Sequence, residues 1–381
     1  MLRSFRVGLR LCQTRTVKLD HLRAALAAAG HGQAVLSHPE TLASVGCFET
    51  PDEDWPVANP FVTVPALLCL GPSAAILVVA DFHAADVRSS VAQLVTYRSY
   101  DFQRQPDPAG ELRSAFLVAL DEAGFVPEPT GIEARHLPHA VADWLVQSGR
   151  TPTACDDAVR VTPDLDAIRR ACRLADVVQQ AVKDHAEPGI SEAELAGLAA
   201  AAMYREAGKR VPAILTVTTG AESTATGGGV ATERVVQSGD LVLTDTSPWI
   251  AGGWSDTANA VFVGEPDRTT RDRFDAIRRA LHHGIALCRP GVAAKDVDRG
   301  VREMLAEHGP TYAHHTGHRI GAAWSEEPRI TPYCEQRFAE GMVLALEPAI
   351  YLPGWGGIRL EHTFLVGEHE NEILTEFEHT L

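Results

Sequence analysis

Four carboxylates sit where an unpaired charge is hardest to keep. Asp245 closes the apolar run LVLT, Asp256 precedes NAVFVG, Glu347 lies inside VLALEPAI, and Glu361 interrupts IRLEHTFLV. Short runs rich in Val, Leu and Ile read as strands, so these side chains are expected in an interior where a lone charge costs several kcal/mol. Each must be paired, neutralised or bound to a metal. Arg359 can neutralise one of them, whereas a metal could neutralise all four. The run Tyr312-Ala313-His314-His315-Thr316-Gly317-His318-Arg319-Ile320-Gly321 brings imidazole into the same half of the chain. One imidazole with four carboxylates and no thiolate suits two divalent ions about 3.5–4 Å apart, bridged by carboxylates and sharing a hydroxide. Manganese is the first expectation, with cobalt, iron or zinc also fitting.

The rest of the chain narrows the setting. At 381 residues it is long enough for two or three domains, and 50 acidic residues against 34 basic ones leave a charge of −16, which repels phosphate backbones and argues against a nucleic-acid partner. Seven cysteines without a C-x-x-C pair read as reduced thiols of a cytoplasmic protein. No stretch is long and apolar enough for a membrane span. Residues 1–16 form a basic segment without an acid, expected to be disordered or loosely docked. Residues 17–155 mix helix and strand: Leu19, Leu22 and Leu26 at helical spacing, strands at 34–36, 61–70 and 74–80, helices at 110–123 and 137–147. A polar stretch, SGRTPTACDD, marks the boundary, and the second domain, 163–381, opens with Thr162 as N-cap and Pro163 in the first turn. Ser191 and Glu194 predict a capping box for the next helix. Further helices are expected over 269–288 and 294–308, with strands at 241–245, 259–264, 341–348 and 357–366, an α+β arrangement.

The order GD-LVLTD, SDT, GH-IG, LEP, RLEHT resembles the pita-bread metallopeptidases, the group of aminopeptidase P, prolidase, methionine aminopeptidase and the non-peptidase creatinase. The likeness covers the second half, and HLRAALAAAG with VLSHPETLASVGCF is similar to the smaller α/β amino-terminal domain of the prolidase and creatinase branch. The resemblance implies Asp245, Asp256, His318, Glu347 and Glu361 as metal ligands, Glu347 or a water beside it as proton shuttle, and a homodimer. It also exposes departures. Where the peptidases carry a histidine seven positions past the ligand histidine, this chain has Ser325; where they carry one about seventeen residues before the first Asp ligand, it has Gly228. His314, four residues before His318, is the auxiliary imidazole that survives, and with Ser325 it is the expected catalytic partner of Glu347. Arg359, Trp324 and Gly228 are expected to border the substrate, although Arg359 also reads as a cation fixing the carboxylates. His315 reads as a loop histidine, Glu326 and Glu327 as a polar loop, and His362 as a hydrogen-bond partner of the ligands.

Three functions follow from this reading. The first is a dinuclear-metal hydrolase resembling Xaa-Pro aminopeptidase or prolidase, in which hydroxide attacks the amide carbonyl of a short peptide. The second is a pathway enzyme on the same fold, a C–N hydrolase or lyase acting on a small molecule, favoured by the two missing histidines. The third, a catalytically silent binding protein, sits badly with five retained ligands.

Overall fold

The computed structural model describes residues 18–48, 66–87, 92–159, 164–309, 312–321 and 323–381. The basic segment 1–16, the first half of the expected strand 61–70 and the Thr162–Pro163 helix start lie outside these residues. The chain divides into two compact units, Met1–Asp164 and Leu165–Leu381.

In the first unit a helix over 18–28 (α1) leads to β1 (Ala34–Leu36), α2 (Pro39–Ser44), β2 (Ala66–Leu70), β3 (Ala75–Ala80), β4 (Gln93–Tyr97), α3 (Pro108–Glu122), β5 (Pro129–Ile132), α4 (His139–Gln147) and β6 (Thr151–Ala154). The six strands form one sheet in the order β4-β3-β2-β1-β5-β6. The pairs β1–β2 and β2–β3 are antiparallel and the others parallel. Alternate residues sort to opposite faces, as strand geometry requires. Cys69, Ile76 and Val78 pack on Phe116 of α3, and Leu68, Leu77 and Val79 share the other core with α1. A central sheet buried on both faces explains why β2 and β3 read as continuous apolar runs.

The second unit opens with α5 (Leu165–His185) and α6 (Glu192–Ala207), followed by β7 (Ala213–Thr219), α7 (Gly220–Thr224), β8 (Leu241–Ile250), β9 (Gly253–Trp254) and β10 (Thr257–Phe262). After α8 (Arg268–Leu287) and α9 (Ala294–Leu305) come β11 (Gly317–Ile320), β12 (Glu326–Ile330), β13 (Val343–Leu346), β14 (Ala349–Leu352), β15 (Gly356–Arg359), β16 (His362–Leu365) and β17 (Glu372–Ile373). The capping box is present: Glu194 N–H donates to Ser191 Oγ at 3.2 Å and Ser191 N–H to Glu194 Oε2 at 2.9 Å. Gly208, left-handed at φ 68°, ends that helix. No helix among the described residues is long and apolar enough to cross a membrane.

Two sheets carry the acids. One runs β10-β8-β7 with β9 on β8, and the other β12-β11-β13-β16-β17. The expected single strand 357–366 is in fact two, broken at Leu360–Glu361. The reason is a backbone exchange between sheets: Glu361 N–H donates to Ala258 O at 2.9 Å, and Thr257 Oγ1 donates to Glu361 O at 2.8 Å. Thr363 completes the seam, its hydroxyl donating to Asp256 O at 2.6 Å while its oxygen accepts from Asp256 N–H at 3.0 Å. Glu326 and Glu327 also differ from the loop reading, since both lie on β12, Glu326 buried and Glu327 exposed beside Arg329.

Candidate metal centre

The seam between the sheets brings the acids together. Asp245 and Ser247 stand on the same face of β8 by the two-residue period of a strand. Ser247 Oγ donates to Asp256 Oδ1 at 2.8 Å, and Asp256 Oδ2 lies 3.3 Å from His318 Nε2. On β11, His318 pairs across from Ala345 of β13, and Glu347 follows β13 directly, its N–H bonded to Thr316 O at 2.9 Å. One ligand atom each from Asp256, His318 and Glu361 falls within 4.8 Å of the others, and so does one each from His315, His318 and Glu347. The two groups overlap at His318.

Asp245 is joined to this cluster through a cation. Arg359 Nη2 pairs with Asp245 Oδ2, Nη1 donates to Gly227 O at 2.7 Å and to Tyr351 Oη at 2.8 Å, and Nε stands 3.9 Å from Glu347 Oε2. Arg359 therefore ties two acids and the glycine loop together. Gly228, at φ 119°, faces the same guanidinium: a Cβ there would meet Arg359 Nη2 at 3.8 Å and Thr216 Oγ1 at 3.6 Å. Thr216 is the cross-strand partner of Asp245.

Charge is unevenly distributed over the acids. Burial and the neighbouring charges of Asp256, Glu347 and Asp245 push Glu361 well above the usual carboxylate range. Burial also lifts Asp245, which Arg359 pulls down and Asp256 and Glu347 push up, to about 7. For Glu347 burial acts upward too, but the hydrogen bond from His315 and the charges of His314, Arg359 and His318 hold it at about 2. His318 is raised because the close Asp256 carboxylate outweighs its burial. Four acids this close cannot all ionise without cations.

Donor chemistry fits a divalent metal. His318 Nδ1–H donates to Arg319 O at 3.1 Å, so that in the neutral ring Nε2 is the lone-pair nitrogen facing the acids. That Nε2 and Glu361 Oε1 are buried with no hydrogen-bond partner among the described residues, the condition a cation would relieve. Asp256, His318, Glu347 and Glu361 are all buried, with 8% or less of each exposed.

The remaining expected residues take distinct places. His314 donates from Nδ1 to His315 O at 2.7 Å, its Nε2 lies 3.2 Å from Tyr351 Oη, and burial lowers its pKa. Trp324 stands edge-on to His318, ring centroids 5.5 Å apart, and is 40% exposed. The Ser325 hydroxyl is buried without a partner among the described residues. His362 does not support the ligands as expected: its Nδ1 is 2.9 Å from Thr375 Oγ1 and its ring packs on His379. His315 corrects the sequence reading in the other direction, for its Nε2–H donates to Glu347 Oε1 at 2.9 Å. Tyr351 was missed altogether, although the segment after Glu347-Pro348 that carries it is strand-like. Ser247 was missed as well, because the strand was read as ending at Asp245, whereas β8 runs on to Ile250 and carries Ser247 two residues further on the same face.

The profile of metallopeptidase family M24 matches residues 166–368. The Xaa-Pro dipeptidase of Pyrococcus furiosus is 31% identical over 225 residues, 58% of this chain, and the match spans 64% of that relative's length. A probable dipeptidase PepE of Mycobacterium tuberculosis is 31% identical over 320 residues, 82% of this chain and 83% of its own. Among solved structures, an Xaa-Pro dipeptidase from Bacillus anthracis aligns with a TM-score of 0.77 at 21% identity, covering 96% of this chain and 99% of its own. That likeness shows the expected pita-bread fold across nearly the whole chain.

Proposed function

Because the chain belongs to metallopeptidase family M24, a family of metal-dependent hydrolases, we propose that it is a dinuclear-metal hydrolase that cleaves an amide bond in a short peptide or small peptide-like molecule. The observation that supports this reading most is the pair of donor groups overlapping at His318. Asp245, Asp256, His318, Glu347 and Glu361 would hold two divalent ions. When bound, the ions would supply Lewis acidity and a water acidic enough to attack at neutral pH.

The chain's own residues then divide the work. Glu347, held ionised at about 2, accepts the proton of the attacking water and passes it to the leaving nitrogen. Arg359 fixes Asp245 and supports Tyr351, whose hydroxyl meets His314 Nε2. His314, the end of this row, would stand beside the substrate carbonyl. Trp324, edge-on to His318 and half exposed, offers an apolar wall. Ser325 and Gly228 border the rest of the pocket. The assembly is a proposed homodimer in the cytoplasm, carried over from the family resemblance and the thiol usage.

A non-peptide substrate is the second reading, and one observation favours it: Ser325 holds a hydroxyl with no partner among the described residues, and Gly228 carries no side chain, where the resemblance places imidazoles. One lost donor to a developing charge is worth about 10²–10³ in rate. A hydrolysis panel of Xaa-Pro and other dipeptides and small amides, on protein freed of metal and then reloaded, tests both. Metal-dependent amide cleavage with Xaa-Pro kcat/KM below about 10⁴ M⁻¹s⁻¹ is expected. Turnover of small amides with none of any dipeptide favours the second reading, and no cleavage of any amide by the loaded protein contradicts both hydrolase readings.

A further inference from the structure

Two histidines precede His318 in the run HHTGH, and the structure commits them differently. Both nitrogens of His314 are engaged, Nδ1 with the His315 carbonyl and Nε2 with Tyr351, while its ring stacks on Tyr312 at 4.7 Å. His315 points its Nε2 at Glu347 Oε1, 2.9 Å away. Its ring stands edge to face with His318, centroids 5.3 Å apart at 86°. Because one ligand atom from each of His315, His318 and Glu347 lies within 4.8 Å of the others, this imidazole extends the donor set on the Glu347 side, away from Asp256 and Glu361.

We propose that His315 is a sixth protein donor to the metal centre, converting an oxygen-rich site with one imidazole into a site with two. The inference rests on the reading that the site holds divalent ions. Without a cation, an imidazole N–H and a carboxylate satisfy each other by hydrogen bonding, as His315 and Glu347 do here. In the other tautomer of the neutral ring, with the N–H on Nδ1, the same two atoms would present a nitrogen lone pair and an oxygen to a shared cation. An added imidazole favours zinc and cobalt over manganese, which prefers oxygen donors. His315 therefore sets the metal preference of the centre, a property that four carboxylates and a single histidine would have assigned to manganese.

The test is competition titration of zinc and manganese against a chelator on the full chain, paired with X-ray absorption of the zinc-loaded protein to count imidazoles. Wild type, His315→Ala, His315→Gln and His314→Ala are compared after circular dichroism confirms folding. His315→Ala and His315→Gln are expected to weaken zinc about 10–100-fold, the range seen when a metal's supporting shell is disturbed, with a much smaller effect on manganese and fewer imidazoles per zinc. His314→Ala, which removes an imidazole 3.7 Å from Glu347 Oε2, is expected to leave the number of imidazoles per zinc unchanged, because its nitrogens bond His315 O and Tyr351. Wild-type zinc affinity and imidazole count in both His315 variants overturn the proposal while leaving the metal centre standing. A wild-type chain that binds neither metal overturns the metal centre itself, and His315's role with it.

Discussion

Glu361 shows at the residue scale what the absence of a cation costs. Its Oε1 is buried with no partner among the described residues, and its closest charged company is acidic. Burial and these acidic neighbours favour the protonated form of this side chain in the metal-free protein, and a cation favours the charged one. Glu361→Gln removes the charge and a ligand together. The metal-free variant is expected to be as stable as metal-free wild type or more so. Its gain on adding metal is expected to fall well below the roughly 2.7 kcal/mol that a ligand at a hundred times its Kd supplies. Thermal unfolding with and without metal reads both, and a full metal-induced gain in the variant contradicts the ligand assignment. The acids were legible in sequence because a carboxylate inside Val, Leu and Ile announces itself. His315 was not, since its partner Glu347 lies 32 positions on and only the pairing of β11 with β13 brings the two together.

At the scale of elements, the glycine loop is held by one carboxylate. Glu192, the first residue of α6, accepts from Thr219 N–H and Oγ1 at 2.7 and 2.8 Å, and from Thr232 N–H and Oγ1 at 2.9 and 2.6 Å. Those threonines lie on either side of Gly227–Gly229, whose backbone meets Arg359. Glu192→Gln turns an amide group toward donors and breaks this clasp. A loss of about 2 kcal/mol is expected, in the range for hydrogen bonds to a charged group, with faster amide exchange over 226–232. Unchanged exchange there contradicts the clasp. The amphipathic helices and the capping box were readable because their signals are local. The break at Leu360–Glu361 was not, because it is set by hydrogen bonds to Ala258 and Thr257, about a hundred residues away in the other sheet. The same holds for β12, where Ser-Glu-Glu-Pro has turn composition yet pairs with β11.

Across the whole molecule the acids couple folding to pH and to metal. Asp245 sits at about 7 in the folded chain, against about 3.9 for an unfolded Asp. Between those values the metal-free folded state holds a proton that the unfolded chain has released, so this residue's contribution to stability falls as pH rises from about 4 to about 7. Glu361, raised as well, acts in the same direction. Metal reverses the slope, because binding requires the deprotonated acids and tightens as pH rises. Buried histidines of lowered pKa, His136 and His362 among them, act in the opposite direction over part of this range. The acids' share is therefore read as the difference between metal-loaded and metal-free urea unfolding from pH 4 to 8, which is expected to widen as pH rises. Parallel trends contradict the coupling. The most direct test of the central claim is elemental analysis of wild type and Asp256→Asn after reconstitution. The account predicts about two divalent ions per wild-type chain and a large loss in the variant. No bound metal in the wild type, or undiminished metal in Asp256→Asn, contradicts it.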